Sequence, residues 1–377
     1  MNKKKICFVV SMPDTARSFL KEPFKLLSKD FDVYLVANIS DSDDLSDMSL
    51  SGYKSIPITR KPNVKEDLSA LMALIAYFRE MNFDSVHSLT KKASLLTTIA
   101  GRIARIPLRL HHFTGQMWAT MRGPKKWFYK YMDSFIVWSD THMIVDGISQ
   151  KEFLEESGVL KVDQATVFGK GSICGINTNR FTKNHLARKN IRTTLNLSED
   201  KVVYIFLGRL KREKGAYELF EAYNKLIPNC PKAVLLIVGV DEENCLERLH
   251  TYPNINEQNL IYYGPTSKPE DLYNAADIYV LPTYREGFGL AILEASSVGL
   301  PVITSDTYGV RDSIVENETG LRCKTYDVDT LLNCMKYLYE YPEERQRLGD
   351  NGVNYVRENF TSEVICSAWV DYYKRLL

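Results

Sequence analysis

The sequence predicts an α/β protein with two domains, each built around a parallel β-sheet. Short apolar runs alternate with longer amphipathic runs in both halves of the chain. Such a pattern gives parallel strands joined by right-handed crossovers. The length of 377 residues suggests two domains rather than one. An apolar fraction of 45% is enough to fill two cores.

The first half of the chain shows this alternation from its start. Strands are predicted at residues 6–10, 33–36, 85–87, 108–113 and 143–145. Helices are predicted near residues 18–29, 68–81 and 95–105. The sequence has no repeat of fixed period, so we expect one parallel sheet covered by helices in this half.

A continuous apolar run at 202–207 predicts a buried parallel strand in the second half. The run ends at Gly208, and Arg209 and Lys214 follow directly. Ligands of open α/β sheets bind outside the carboxyl ends of the strands, where cations can neutralise a diphosphate. Taken alone, these residues also fit a solvated basic loop.

A second strand, predicted at 277–281 and closed by Pro282, leads into two carboxylates, Glu286 and Glu294. The residues between them that form a glycine turn and a helix start are Gly287, Phe288, Gly289 and Leu290. Glycines let the backbone approach a ligand, and a helix start offers N–H groups to a phosphate. About two helical turns separate the carboxylates, so both can reach one bound molecule. The alternative is a surface glutamate and a capping glutamate at an ordinary helix start.

Together these motifs resemble the family-4 retaining glycosyltransferases, which have the GT-B fold. The matching segments are 208–215, 262–265, 271–277, Pro282, 286–294, 299–303, 309–310, 314–315 and 319–321. The resemblance is dense from residue 200 to residue 360. It implies two Rossmann-like parallel-sheet domains that face a cleft.

The resemblance also implies the domain limits. We predict an N-terminal acceptor-side domain at 1–172 and a C-terminal nucleotide-sugar domain at 173–361. The boundary lies in the glycine-rich stretch 169–177. In a GT-B protein the last helix, here about 362–377, packs back on the first domain.

By the same resemblance, the reaction is transfer of a hexose from a nucleotide sugar, with retention at the anomeric carbon. UDP is favoured over GDP by the habit of the family. The implied catalytic residues are Arg209, Lys214 and Glu286, with Arg209 and Lys214 stabilising charge on the leaving diphosphate. Glu286 would hold the donor sugar, and Glu294 would accept hydrogen bonds from the ribose. The remaining donor-binding residues are Gly208, Gly287, Phe288, Gly289 and Leu290. The family implies no metal and no cofactor.

One segment of the first half is strongly basic. Residues 85–132 contain no Asp or Glu and nine Lys or Arg, interleaved with aromatic residues in their second part. Cations and aromatics together fit an anionic membrane surface or a lipid-linked diphosphate acceptor. The alternative is a solvated basic face with aromatics in the core. A net charge of +1 and the lack of a recognised binding module disfavour nucleic acid.

Two local segments, 87–96 and 113–116, resemble the subgroup that extends sugars on polyprenyl diphosphate for surface polysaccharides. The implied acceptor-side residues are Ser11, Lys91, Thr114 and Gly115. The sequence departs from the wider family at 11–14, where many members have a Gly-Gly loop. It departs again at Thr114, where many members have a histidine that approaches the donor sugar. His111 and His112 lie nearby, but a strand-end histidine is more often structural.

Composition gives a cellular location. The seven cysteines are scattered without a Cys-x-x-Cys pair, so neither a disulfide framework nor a zinc site is indicated. The apolar run 6–10 is too short for a signal peptide or a membrane span. We therefore expect a cytoplasmic protein, peripheral on the inner face of the cytoplasmic membrane.

Three other functions remain open at this point. A GT-B sugar-nucleotide epimerase would use a similar donor site. A non-catalytic subunit of a polysaccharide assembly complex is the non-enzyme alternative. A nicotinamide-dependent oxidoreductase is disfavoured, because no Gly-x-Gly-x-x-Gly follows the first predicted strand.

Overall fold

The computed structural model describes residues 3–59 and 63–377. The elements of the first half are β1 (Lys5–Val9), α1 (Pro13–Phe19), α2 (Lys21–Leu27), β2 (Asp32–Ala37), β3 (Gly52–Ser55), α3 (Val64–Met81), β4 (Ser85–Ser88), α4 (Lys91–Ile103), β5 (Leu108–Phe113), α5 (Pro124–Ser139), β6 (His142–Val145), α6 (Ile148–Glu156) and β7 (Ala165–Val167). Those that follow are α7 (His185–Thr194), β8 (Val202–Leu207), α8 (Ala216–Leu226), β9 (Ala233–Val238), α9 (Cys245–Leu249), β10 (Leu260–Gly264), α10 (Pro269–Ala275), β11 (Ile278–Leu281), α11 (Leu290–Val298), β12 (Val302–Ser305), β13 (Gly320–Cys323), α12 (Val328–Glu340), α13 (Pro342–Asn359) and α14 (Ser362–Leu376).

The chain divides into two compact units. The first contains the residues up to Gly175 together with Ser362–Leu377, and the second is Ile176–Thr361. The division falls after Gly175, three residues beyond the predicted limit at 172 and inside the glycine-rich stretch 169–177. The reason is local, because Ser172 N donates to the Asp146 carbonyl at 2.6 Å and Gly175 N donates to Ser172 Oγ at 3.1 Å. These bonds hold the glycine-rich segment on the first unit.

The first unit is built on a seven-stranded parallel sheet with the order β3-β2-β1-β4-β5-β6-β7. Residues Ile6 to Val9 of β1 are completely buried, as expected for a central strand covered by helices on both faces. The strand order reverses between β1 and β4. Such a reversal opens a crevice at the carboxyl ends of the two strands, which is where α/β proteins bind ligands.

The N-terminal helical region differs from its prediction. The sequence predicts one helix near 18–29, whereas the structure has two short helices, α1 and α2, that meet at Leu20. Pro23 lies in the first turn of α2. A proline is tolerated there but cannot donate the N–H bond that a helix interior requires. A single helix running through this position is therefore disfavoured.

The last helix, α14, is part of the core of the first unit. Trp369 is completely buried, packs on Phe8 with ring centres 5.9 Å apart and donates from Nε1 to the Ile173 carbonyl at 2.8 Å. The Tyr373 hydroxyl lies 2.7 Å from Nδ1 of the buried His87. The helix thus contributes both apolar area and hydrogen bonds to this unit.

The second unit is built on a six-stranded parallel sheet with the order β10-β9-β8-β11-β12-β13. Its reversal lies between β8 and β11, which pair through Ile278 with Tyr204 and Tyr279 with Ile205. Every residue of β9 is buried, and the apolar core spans both faces of the sheet. This is the strand order of a nucleotide-binding Rossmann sheet, with its crevice at the β8–β11 reversal.

One matching sequence segment, 271–277, has a structural role at the opposite edge of this sheet. Asp277 accepts from Val203 N at 2.8 Å and from Arg188 at 2.8 Å. The buried Arg192 donates to the carbonyls of Ser198 at 2.7 Å and Ala275 at 2.9 Å. These bonds fasten α7 to the amino ends of β8 and β11.

Among the helices of residues 3–59 and 63–377, none combines the length and the apolar character that a membrane crossing requires.

Candidate active site

The crevice between β8 and β11 brings the two predicted donor motifs together. Arg209 and Lys214 lie in the loop that leaves β8, and Glu286 lies in the loop that leaves β11. Because the two strands are parallel neighbours, both loops emerge at the same edge of the sheet. The basic and acidic motifs, more than 70 residues apart in sequence, therefore share one site.

Gly215 permits the close approach of these loops. Its φ is +74°, and a Cβ atom at this position would lie 2.0 Å from the Pro282 carbonyl oxygen. Only glycine fits such a contact in the left-handed region. Tyr284 N also donates to the Glu213 carbonyl at 2.9 Å, so the two loops are joined through their backbones.

The close approach places Lys214 against Glu286. The Lys214 ammonium donates to Glu286 Oε1, and the two side chains are only 12% and 20% exposed. A second pair lies beside it, in which Arg285 donates to Glu213 at 2.7 Å. Each pair joins one residue of the β8 loop to one residue of the β11 loop, so charge reinforces the backbone contact.

Arg209 is placed differently from Lys214. Its side chain is 56% exposed, and one guanidinium nitrogen lies 3.3 Å and 3.4 Å from the two carboxylate oxygens of Glu242. Glu242 was not singled out in the sequence analysis. Glu242 follows β9, the strand on the other side of β8. Knowledge of the strand order would therefore have pointed to this residue. An exposed pair of this kind contributes little to stability, and the guanidinium is accessible to a ligand.

The turn that carries Glu286 is held from two sides. Phe288 is buried and packs on Phe360 with ring centres 5.4 Å apart. Gly309, in the loop after β12, packs against the backbone of this turn. A Cβ atom at Gly309 would lie 2.6 Å from the Glu286 carbonyl oxygen. The turn leads through Gly289 into α11, and no side chain caps this helix start. The first N–H groups of a helix lack acceptors one turn earlier in the chain, so a phosphate group bound here could accept from them.

Glu294 lies in the second turn of α11, and its carboxylate accepts a hydrogen bond from the Tyr273 hydroxyl at 3.2 Å. Burial raises the pKa of Glu294 to about 7, although Tyr273 and Arg180 both favour its ionised form. Burial also raises the pKa of Tyr279 well above its usual value, and Glu286 and Glu294 both add to that rise. Glu294 lies on the helix that directly follows the Glu286 turn.

Tyr273 is a second site residue without a role assigned from sequence. It lies within the matching segment 271–277, but nothing in the spacing connects it to a residue 21 positions later. The contact arises because α10 and α11 flank the same strand, β11.

The predicted acceptor-side residues lie along the carboxyl edge of the first sheet. Ser11 follows β1, Lys91 follows β4, and Thr114 and Gly115 follow β5. Ser11 N donates to Thr90 Oγ1 at 2.9 Å, and the two hydroxyls lie 2.8 Å apart. All four predicted residues therefore lie on three neighbouring strand ends of the first unit.

The histidines near this edge are buried and hydrogen-bonded. His111 Nδ1 lies 3.1 Å from Ser88 Oγ, and burial lowers its pKa to about 3. His112 Nε2 lies 2.9 Å from Asp146 Oδ1. Thr114, at the position where many family members have a histidine, is exposed.

Helix α5 carries an exposed aromatic surface. Trp127, Phe128 and Tyr131 are 66%, 62% and 73% exposed, whereas Trp118 is buried and donates to Asp133 at 2.7 Å. The Lys130 ammonium lies 5.3 Å from the Trp127 ring centre. The interleaved aromatics of the basic segment thus divide between core and surface: Trp127, Phe128 and Tyr131 are exposed, whereas Trp118 is buried and Tyr129 packs partly buried against the core.

Within 3–59 and 63–377, no group of three or more His, Cys, Asp or Glu side chains is arranged to hold a metal ion.

Residues 187–355 match the family model of the glycosyl transferases of group 1. The second unit of the chain is therefore similar to this family. The predicted resemblance and the predicted GT-B fold are both confirmed. The match falls within the second unit, which contains the β8–β11 crevice.

Curated relatives cover nearly the whole chain. The capsular polysaccharide biosynthesis glycosyltransferase CapM of Staphylococcus aureus is 27% identical over 100% of this chain and 98% of its own length. The UDP-Gal:alpha-D-GlcNAc-diphosphoundecaprenol alpha-1,3-galactosyltransferase of Escherichia coli is 28% identical over 89% of this chain and 87% of its own.

Solved structures show the same fold. HepE of Anabaena, in complex with UDP and glucose, superposes with a TM-score of 0.82 at 17% identity, covering 99% of this chain and 100% of that one. The sucrose-phosphate synthase of Thermosynechococcus elongatus gives 0.81 at 20% identity and covers 99% of both chains. At these identities the likeness concerns the fold alone.

Proposed function

We propose that this glycosyl transferase moves a hexose from a UDP-sugar to a hydroxyl group of a lipid-linked sugar, during the assembly of a surface polysaccharide. The observation that carries the proposal is the Lys214–Glu286 ion pair, which joins the β8 loop that holds Arg209 to the β11 loop that leads into the helix of Glu294. Two cations suit a diphosphate, and two carboxylates suit the hydroxyl groups of a ribose and a hexose.

The relatives support the choice of substrates. One acts on a sugar linked to diphosphoundecaprenol and takes its hexose from UDP. A Campylobacter jejuni relative, 25% identical over 81% of this chain, is an N,N'-diacetylbacillosaminyl-diphospho-undecaprenol alpha-1,3-N-acetylgalactosaminyltransferase. The HepE structure holds UDP and glucose.

The transfer step balances without an additional reagent. The bond between the anomeric carbon and the diphosphate breaks, and UDP leaves with the electron pair. A bond forms between that carbon and the acceptor oxygen, whose proton passes to the departing diphosphate. We propose retention at the anomeric carbon, following the family resemblance.

Each site residue has a role in this step. Lys214 exchanges its Glu286 partner for the diphosphate, and Arg209 turns from Glu242 toward the same charge. Such fixed cations stabilise negative charge that grows in the transition state. Glu286, released by Lys214, accepts hydrogen bonds from the donor sugar, and Glu294 accepts them from the ribose. The step needs no metal in this scheme.

The surface of α5 supports a location at a membrane. Trp127, Phe128 and Tyr131 offer aromatic rings next to Lys125, Lys126 and Lys130. Aromatic rings prefer the headgroup region, and nearby cations are attracted by anionic lipids. We propose that the protein binds the inner face of the cytoplasmic membrane, where a lipid-linked acceptor is found.

The test is an incubation in metal-free buffer with a UDP-hexose alone, and then with a sugar diphosphate lipid added. Transfer of labelled hexose to the lipid is expected only in the second reaction. Epimerised nucleotide sugar in the first reaction would indicate an epimerase. Binding of the nucleotide sugar without any product would indicate a non-catalytic subunit.

A matched pair of variants connects this activity to the crevice. Lys214→Met is expected to lower kcat about a hundredfold, the usual effect of removing one transition-state charge donor. Lys225→Met removes an exposed lysine from α8 and is expected to leave kcat unchanged. Equal activity of both variants would remove Lys214 from the mechanism.

A further inference from the structure

A cavity of about 720 Å³ opens at the acceptor edge of the first unit. Its wall is formed by the loop after β1, the start of α4 and one face of α5. The lining residues are Ser11, Met12, Thr15, Asp67, Thr90, Lys91, Lys92, Leu95, Met117, Phe128, Tyr129, Tyr131, Met132 and Phe135. A cavity of this size is within the range of ligand pockets.

The lining of this cavity combines apolar and basic side chains. Its apolar part includes Leu95, Met132 and Phe135 together with Met117 and Phe128. Methionine adapts its shape to irregular or mobile apolar partners. This apolar part therefore suits a flexible hydrocarbon chain better than a sugar, which needs polar partners.

The basic part of the lining consists of two lysines. Lys91 and Lys92 form the first turn of α4. The Lys91 ammonium lies 5.6 Å from the Tyr129 ring centre, and the Lys92 ammonium pairs with Asp67 and donates to Thr59 at 3.0 Å. Cations at a helix start oppose the helix dipole, so an anion bound there would be favourable to both. An incoming diphosphate would compete with Asp67 for Lys92.

We propose that this cavity binds the first units of the hydrocarbon chain of a lipid diphosphate acceptor, with the diphosphate next to Lys91 and Lys92. The proposal rests on the proposed function for the arrival of such a lipid. The positive charge of the two lysines, which complements a diphosphate, and the apolar part of the lining carry it. The cavity wall also continues into the exposed rings of Phe128 and Tyr131, along which the rest of the chain would reach the membrane.

Farnesyl diphosphate and inorganic diphosphate are the probes, used in calorimetric titrations of the full chain below the concentration at which farnesyl diphosphate forms micelles. If the apolar part of the lining holds hydrocarbon, farnesyl diphosphate binds at least about tenfold more tightly than inorganic diphosphate, because burial of each additional carbon is favourable. Equal affinities, or no binding of either probe, would overturn the proposal.

Substitutions of apolar and of basic lining residues separate their contributions to the binding of the two probes. Met132→Trp fills the apolar part of the cavity. It is expected to remove the higher affinity for farnesyl diphosphate, while inorganic diphosphate binds as before. Leu95→Trp is a second variant of the same kind, in case the first fails to fold. Met72→Trp, at an exposed position of α3, is the matched control and should retain the higher affinity for farnesyl diphosphate. Lys91→Gln should lower the affinity for both probes. If this variant binds both as tightly as the wild type does, the placement of the diphosphate next to Lys91 is overturned.

A parallel titration with UDP keeps this proposal distinct from the proposed function. Binding of UDP without a preference for farnesyl diphosphate would overturn the cavity assignment and leave the transferase intact. A preference for farnesyl diphosphate without binding of any nucleotide would support the cavity and contradict the proposed transfer. Retained UDP binding by the tryptophan variants would also show that their second unit is folded.

Discussion

If Glu294 binds the ribose as proposed, donor binding is coupled to pH. The pKa of Glu294 in the free protein is raised to about 7 by burial, so a large fraction is protonated at pH 6. In the proposed role the ribose hydroxyls donate to the ionised carboxylate, which means that binding favours loss of this proton. UDP affinity is therefore expected to rise between pH 6 and pH 8, with proton release on binding in the lower part of that range.

Calorimetric titration at several pH values measures this effect. Glu294→Gln should bind UDP more weakly than the wild type does. Its UDP affinity should also depend less on pH, because the titrating carboxyl group has been removed. The titration of UDP itself is common to both proteins, so the difference between their profiles is the informative quantity. Identical profiles for the two proteins would contradict the ribose role of Glu294.

Arg209 is expected to act on turnover more than on binding. Because its guanidinium is exposed and its partner Glu242 lies at the surface, Arg209→Ala should leave the free energy of unfolding unchanged within about 0.5 kcal/mol. Its kcat should fall about a hundredfold, with a smaller change in the Kd of the donor. Steady-state kinetics and donor titration measure the two quantities, and a variant with normal kcat would exclude Arg209 from the leaving-group site.

The three residues that were predicted to be catalytic all lie in loops that follow strand ends. Arg209, Lys214 and Glu286 could be predicted because each follows a recognisable buried strand, and parallel strands place their carboxyl ends together. Glu242 and Tyr273 could not, because each meets its partner only through the strand order and the helix packing. The Lys214–Glu286 pair itself also depends on the contact between Gly215 and Pro282, which no sequence spacing reveals.

The loop between β8 and α8 owes its position to one glycine. Gly215→Ala would place a Cβ atom 2.0 Å from the Pro282 carbonyl oxygen and force the β8 and β11 loops apart. We expect a loss of about 2–3 kcal/mol in the free energy of unfolding, together with a lower kcat/KM, because the Lys214–Glu286 pair would separate.

Gly158→Ala is the matched control for this change. Gly158 has a similar φ of +70°, but among the described residues an added Cβ would have no neighbour within 4 Å. Gly158→Ala should lower the free energy of unfolding by about 1 kcal/mol, which is the cost of the left-handed backbone conformation alone. Chemical denaturation measures both variants, and equal losses would show that the Pro282 contact is unimportant.

Helices differed in how well the sequence predicted them. The amphipathic helix α3 was predicted, and its only difference is a start four residues earlier, at Val64 rather than residue 68. Helix α5 was not predicted, because Trp127, Phe128 and Tyr131 on its exposed face obscure the usual separation of polar and apolar sides. The packing of α14 on the first unit was predicted from the resemblance alone, since its partners lie almost the whole chain length away.

The chain is close to neutral but distributes its charge unevenly, with a net charge of +1 and a long segment free of acidic residues. If the α5 surface binds anionic membranes, the double variant Lys125→Glu, Lys126→Glu should bind such vesicles at least about thirtyfold more weakly. Each cation near an anionic surface contributes about 1 kcal/mol, and reversal also adds repulsion. Vesicle sedimentation measures the bound fraction.

The double variant Lys161→Glu, Lys189→Glu is the control for an effect of net charge alone. Both lysines are exposed, and the change in net charge is the same. This control should bind vesicles nearly as well as the wild type. Equal loss in the two double variants would show that overall charge, rather than the α5 surface, determines membrane binding.

The central claim is that the β8–β11 crevice is a UDP-sugar site, and titration of the wild type and of Glu294→Ala with UDP and GDP tests it most directly. In metal-free buffer the wild type should bind UDP more tightly than GDP, and Glu294→Ala should lose most of its UDP affinity while a cooperative unfolding transition shows that it is still folded. Failure of the wild type to bind either nucleotide, or undiminished UDP binding by the variant, would contradict the account.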